Sequence, residues 1–186
     1  MLMTRIIGIA GSLRAGSYNA ALLRAAAALM PPDAALDVAS IRGIPLYDAD
    51  LEASEGIPPA VESLKNQIAS SAGLLLATPE YNNSMPGVLK NAMDWLSRPP
   101  ADSARIFRNR PIAVIGTSPG GFGTILAQQA WLPVLRTLGT RPWFGGRLMV
   151  SHAGSVFDDA GGLVDEKVKE QLRQFVEGFV DFAKAG

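Results

Sequence analysis

Five short apolar runs, each followed by a stretch of helical periodicity or by the turn that leads into one, constrain this chain more than any other feature. The runs are Arg5–Ala10, Leu36–Ala39, Gly73–Thr78, Pro111–Thr117 and Arg147–Val150, and each reads as a strand. The helical stretches are Ser17–Met30, Pro58–Ser70, Pro86–Ser97, Phe122–Leu138 and Val164–Ala183. Pro133 predicts a kink or a split in the fourth of these. Ser40–Gly56 reads as a long loop. Strands that alternate with helices build a parallel sheet covered on both faces, an α/β architecture. Right-handed crossovers leave few topologies, and the flavodoxin-like order 2-1-3-4-5 suits this count. Its switch point lies between the first and third strands, where open sheets of this class hold ligands. No repeat, linker or low-complexity segment interrupts the 186 residues, so a single domain over 1–186 is expected.

Composition removes several functions. Lys+Arg and Asp+Glu both number 17, so the chain lacks the basic excess of a nucleic-acid binder. It has no cysteine, which excludes disulfides, thiolate metal sites and a thiol nucleophile. His152 is the only histidine, and a metal site is not expected around it; it reads as a pocket-edge or structural residue. No apolar run reaches the ~18–20 residues of a membrane span. The N-terminal residues read as a strand and not as a signal peptide, so a cytoplasmic protein is the expectation.

Three polar turns follow the first, third and fourth apolar runs. The first, Gly11-Ser12-Leu13-Arg14-Ala15-Gly16-Ser17-Tyr18-Asn19, opens a helix. Hydroxyls on Ser12, Ser17 and Tyr18, the Asn19 amide, the Arg14 guanidinium and helix N-terminal N–H groups suit a terminal phosphate. A loop ending in a helix capped by Ser17 explains the same residues equally well. The turn is neither a Walker loop nor a Gly-x-Gly-x-x-Gly fingerprint. The second turn, Pro79-Glu80-Tyr81-Asn82-Asn83-Ser84, is stiffened by Pro79 and offers backbone groups and an aromatic face to a flat heterocycle. Ser84 reads as the N-cap of the next helix, with Pro86 in its first turn. The third turn, Gly116 to Thr124, is rich in glycine, which allows close backbone approach to a ligand at the rim of the same pocket and equally suits a flexible connection between strand and helix. Together the turns suggest one ligand with an anionic end and a flat ring.

Taken in order, these turns resemble the NADPH-dependent FMN reductase family, and within it the bacterial NAD(P)H-dependent quinone and chromate reductases. The segments that carry the likeness are Gly11-Ser12-Leu13-Arg14 with Ser17 and Asn19, then Ile44 to Asp50, then Thr78 to Arg98. The likeness is close over residues 5–120. It implies noncovalent FMN, with Ser12, Arg14, Ser17, Tyr18 and Asn19 at the phosphate. Pro79, Glu80, Tyr81 and Asn82 then meet the ring, and Ser118 and Gly120 complete the ring site. It also implies NAD(P)H as reductant, quinones or similar small molecules as acceptors, and ping-pong turnover on the flavin with no catalytic side chain. Homodimers, and dimers of such dimers, are implied too. The stretch Ile125 to Trp131 lacks the Arg and Tyr that the chromate reductases use in tetramer contacts. The rival reading is a flavodoxin-type electron carrier served by a separate reductase. Such carriers are strongly acidic, and this chain is neutral.

Overall fold

A computed structural model describes residues 3–185. Its strands are β1 (Thr4–Ala10), β2 (Ala34–Ala39), β3 (Gly73–Ala77), β4 (Pro111–Thr117), β5 (Arg141–Pro142) and β6 (Met149–Val150). The sheet is parallel in the order β2-β1-β3-β4-β5, with β6 also pairing with β4. Its helices are α1 (Tyr18–Ala28), α2 (Ala49–Glu55), α3 (Pro59–Ala69), α4 (Gly87–Leu96), α5 (Pro100–Phe107), α6 (Ile125–Thr137), α7 (Ala153–Val156) and α8 (Glu166–Lys184). The flavodoxin-like order expected from the sequence is the order found.

Side chains along the central strands alternate between two apolar layers, as period-2 geometry requires. Ile6, Leu75, Ala113 and Ile115 join α1, α7 and α8 on one face. Ile7, Ile9, Leu74, Leu76 and Ile112 join α3, α4, α5 and α6 on the other. Every residue of β3 is buried, which explains its uninterrupted apolar run. Registers pair Ala10 with Ala77 and Ala77 with Ile115, so the turns after β1, β3 and β4 leave the sheet side by side. Among the described residues no helix is long and apolar enough to cross a membrane.

The structure departs from the sequence reading in five places. The expected loop 40–56 contains α2, whose first turn is capped by Asp48 through Asp50 N–H at 2.9 Å. Tyr47 and Arg98 both bond the Glu52 carboxylate, at 3.0 and 2.8 Å, and pin this segment to the end of α4. The short α5 begins at Pro100, which suits the first helical turn. The four-residue α7 follows β6 directly. α6 runs unbroken through Pro133. The expected fifth strand at 147–150 is found only as the two-residue β6, and a further short strand, β5, lies ahead of it where none was expected, with Trp143 between the two. Its indole packs edge-on against Phe175 at 4.8 Å and beside Phe179 at 5.8 Å.

One buried cation organises the corner of α3, α4 and α5. Lys65 is fully buried, and its ammonium meets Asp102 at 3.1 Å, Glu62 at 3.2 Å and the carbonyl of Arg98. Arg105, bonded to Asp102 at 2.6 and 2.9 Å, is the main reason that the Asp102 carboxyl is pulled down to about 2, with Lys65 assisting. A carboxyl held below its unfolded value stabilises the fold above pH ~4, and that stability is lost as pH falls towards 2. Asp102→Asn is expected to cost about 1–3 kcal/mol at pH 7, since Lys65 loses a charged partner. It should also flatten the pH dependence of stability between pH ~4 and 2. Urea unfolding midpoints of parent and variant across that range check both outcomes.

Candidate functional site

The first turn is built where β1 ends. Gly11 N–H donates to Ala77 O at 2.8 Å, so the chain leaves β1 pressed against β3. A Cβ on Gly11 would sit 2.8 Å from Pro79 and 2.9 Å from Leu89, so only glycine lets the first and second turns touch. Ser17 is nearly buried and caps α1, its hydroxyl accepting from Ala20 N–H at 3.2 Å. The N–H groups of Tyr18 and Asn19, which precede Ala20 in the first helical turn, have no intrahelical partner. Arg14 lies over the Tyr18 ring, 5.5 Å from its centroid, and donates to Gly16 O at 2.6 Å. Tyr18 in turn stacks on Phe157 at 5.8 Å. This end of the site therefore presents donors: two serine hydroxyls, a guanidinium and a helix N-terminus. That is the chemistry of a bound phosphate.

Asn19 has work that its sequence position did not reveal. Its amide donates to Thr117 O at 2.9 Å and accepts from Thr117 N–H at 3.0 Å, both bonds buried. The side chain expected at the phosphate thus ties the start of α1 to the end of β4. Thr117 itself carries a buried hydroxyl with no hydrogen-bond partner. An unpartnered buried hydroxyl costs about 1–3 kcal/mol, which a polar group of a ligand recovers.

The second turn is a tight hairpin. Tyr81 and Ser84 exchange N–H···O bonds at 3.1 Å each. Asn82 and Asn83 between them both take left-handed backbone, φ 49° and 61°, a conformation that asparagine tolerates. Ser84, committed to this pairing, is not the cap of α4; that place belongs to Pro86, which makes no side-chain cap bond. Glu80 reaches across to the helix that follows the third turn. Its carboxylate accepts from Leu126 N–H at 2.9 Å and Ala127 N–H at 3.0 Å, an anion set on the positive end of α6.

The third turn is fixed from beneath and from the side. A Cβ on Gly116 would fall 2.0 Å from Thr124 Oγ1 and 2.4 Å from Thr78 O, so α6 can begin this close to the sheet only over glycine. Ser118 N–H donates to Val150 O at 3.0 Å, and Ala153 N–H to Ser118 O at 3.1 Å. His152 N–H reaches Gly120 O at 3.0 Å, with His152 in left-handed backbone at φ 52°.

These turns enclose one cavity of about 870 Å³, within the range of small-molecule sites. Ser12, Arg14, Ser17, Tyr18, Asn19, Pro79, Glu80, Tyr81 and Ser118 all line it. Asn82 sits exposed at the hairpin tip, and neither it nor Gly120 belongs to the lining. Thr117, Pro119, His152, Gly154 and Ser155 line the cavity and were not singled out as ligand contacts from the sequence. For Thr117 no local signal exists. His152, expected at the pocket edge or as a structural residue, lies in the lining. The donor-rich end, the orphaned Thr117 hydroxyl and the slot between Pro79-Tyr81 and Ser118-Pro119 fit FMN.

Comparison with known proteins gives the same direction. Residues 4–155 match the NADPH-dependent FMN reductase family. The chain is 47% identical over 170 residues to an NAD(P)H-dependent FMN reductase of Pseudomonas aeruginosa, covering 91% of this chain and 90% of that protein. It is 38% identical to a 2-hydroxy-1,4-benzoquinone reductase of a Burkholderia species, covering 97% and 96%. Among solved structures, the flavoenzyme NAD(P)H:(acceptor) oxidoreductase FerB of Paracoccus denitrificans superposes with a TM-score of 0.87 at 34% identity, covering 98% of both chains.

The orphaned hydroxyl makes a separable expectation. Thr117→Val should leave the thermal midpoint of the FMN-free protein unchanged or raised, because an unsatisfied buried group is removed. It should weaken FMN binding by about 5- to 30-fold, the value of one neutral hydrogen bond plus its desolvation. Calorimetric unfolding without FMN and fluorescence titration with FMN check the two halves.

Proposed function

The chain belongs to the NADPH-dependent FMN reductase family, and on that premise we propose that it oxidises NAD(P)H and reduces quinones through bound FMN. The observation that carries this reading is the single cavity at the β1/β3 switch point, anionic-ligand chemistry at one end and a rigid slot at the other. FMN held there would supply the redox chemistry, taking a hydride equivalent from NAD(P)H and, with one further proton from water, passing two electrons and two protons to a quinone to give the hydroquinone.

The chain's own residues bind and orient. Ser12, Arg14, Ser17 and the first N–H groups of α1 hold the phosphate. Asn19 acts through Thr117, fixing the distance between the phosphate end and the ring end. Thr117 and Ser118 present polar groups to the ligand, while Pro79 and Tyr81 wall the slot. Glu80 keeps α6 and the third turn in place; Asn82 and Gly120 shape the turns without lining the cavity. Reductant and acceptor reach the ring through the same mouth, so they bind in succession, which is ping-pong turnover. Small quinones are the acceptors favoured by the relatives' activities, with free flavin, azo compounds and chromate as further acceptors of the same electrons. Leu46 in the loop before α2 and Val88 on α4 are exposed apolar side chains, which supports the homodimer that the family resemblance implies. We place the enzyme in the cytoplasm. The electron-carrier reading is disfavoured by the formal net charge of zero, since carriers use a strong acidic surface to meet their partners.

The decisive measurement is the visible spectrum of the FMN-loaded protein during anaerobic NADPH addition and then benzoquinone. Flavin bands that bleach with NADPH and return with quinone are expected; bound flavin that stays oxidised would point to the carrier. Initial rates at several quinone concentrations should give parallel double-reciprocal lines. Arg14→Ala combined with Ser17→Ala should weaken FMN binding about 10²-fold, because charge-assisted bonds to the phosphate are lost. Equilibrium dialysis with FMN measures it, and unchanged affinity sinks the phosphate assignment.

A further inference from the structure

A second cavity opens off the first. It has a volume of about 270 Å³ and shares His152 and Ser155 with the FMN cavity as a common wall. A third cavity, beside Arg24 and Lys169, shares no lining residue with either. The second cavity lies between the β6–α7 junction and the first turns of α8, and Ser151, Lys167 and Gln171 complete its polar lining. Its one carboxylate, Asp165, is the N-cap of α8 and accepts from Val168 N–H at 2.9 Å. Among the described residues, Lys167 makes no ion pair and no side-chain hydrogen bond, unlike Lys169, which pairs with Glu166 at 3.3 Å.

We propose that this second cavity binds the 2′-phosphate of NADPH and that Lys167 sets the preference for NADPH over NADH. The inference rests on the reductase reading, which requires the reductant to lie over the FMN cavity. The rest of the dinucleotide then extends past the rim of that cavity, and the His152–Ser155 side has a further hollow beside it. The donors there are an ammonium, two hydroxyls and an amide, in a volume that admits one phosphate group and part of a sugar. Side-chain donors around a small hollow match a terminal phosphomonoester, whose oxygens all face outward, better than an internal pyrophosphate. His152 is held at the junction in left-handed backbone, a conformation that costs a non-glycine residue free energy and persists where neighbours over-determine it. The constraint comes from His152 N–H bonded to Gly120 O at 3.0 Å and, one residue on, Ala153 N–H bonded to Ser118 O at 3.1 Å.

The test uses the FMN-loaded protein with adenosine 2′,5′-bisphosphate and 5′-AMP in calorimetry, and with NADPH and NADH in quinone reduction. The parent should bind the bisphosphate at least about tenfold more tightly than 5′-AMP, the worth of a charge-assisted phosphate contact. Lys167→Glu should abolish that preference and lower the NADPH-to-NADH ratio of kcat/KM about tenfold or more. Lys167→Arg should keep most of both, and Lys169→Ala should change neither. Equal binding of the two nucleotides by the parent overturns the proposal. So does a Lys167→Glu variant that loses NADPH and NADH activity in equal measure. Calorimetry needs no turnover, so a protein that discriminates the nucleotides without oxidising NADPH keeps the pocket and fails the reductase reading instead.

Discussion

One side-chain amide sets the geometry on which the rest of the site depends. Asn19 stands at the start of α1, and Thr117 at the end of β4, two strands away. The two residues are 98 positions apart in sequence, yet the Asn19 amide satisfies both backbone groups of Thr117. Both bonds are buried, where a hydrogen bond is strong and an unmade one is costly. Cutting the amide leaves a backbone N–H and a carbonyl unsatisfied at the edge of the sheet. The separation between the phosphate end and the ring end of the cavity is therefore fixed by the core and not by loop conformation.

The remaining ties extend the same logic. Gly11 brings the first and second turns into contact, and Gly116 lets α6 start against the sheet. Glu80 then reaches from the second turn to the first N–H groups of α6, and Ser118 and Gly120 bond to the β6–α7 segment. Loops at the carboxyl edge of a parallel sheet are ordinarily its most mobile parts. Here each is bonded to its neighbour, so the ordering that a ligand would otherwise impose has been completed by folding. Preorganised donors suit a cofactor that stays bound while other molecules come and go.

What could be read from the sequence follows from the range of the interactions involved. The central strands are buried on both faces, so their apolar runs stand out, and the turns after them fall in predictable places. The strand order and the pocket at the switch point follow from that pattern. Short helices such as α2, α5 and α7 escaped because seven, eight and four residues carry too little periodicity to register. β5 escaped because two residues carry no strand pattern, and Trp143 beyond it packs on Phe175 and Phe179 of α8, a contact that no local window contains. Site residues divide the same way. Ser17 caps its own helix, a local event, and was legible. Asn19 and Glu80 line the cavity and also tie its turns together through partners 98 and 46 positions away, a second role that their residue types did not suggest. Thr117 looked like an ordinary strand terminus until its hydroxyl proved to have no partner.

The ionisable groups around the cavity show where selectivity can reside. Glu80 is spent on a helix terminus, and Arg14 rests on Tyr18 and Gly16 at the phosphate end. Neither can change without disturbing the cradle. Tyr81 stands at the hairpin, more than half exposed, and His152 on the opposite side is exposed as well. Both can change without touching the ties beneath them. A floor locked by backbone bonds and a rim of exposed side chains let one fold keep its flavin chemistry constant while reductant and acceptor preferences shift. Differences in substrate among relatives of this chain are therefore best sought at the rim and in the hollow beyond His152, not in the three turns that form the floor.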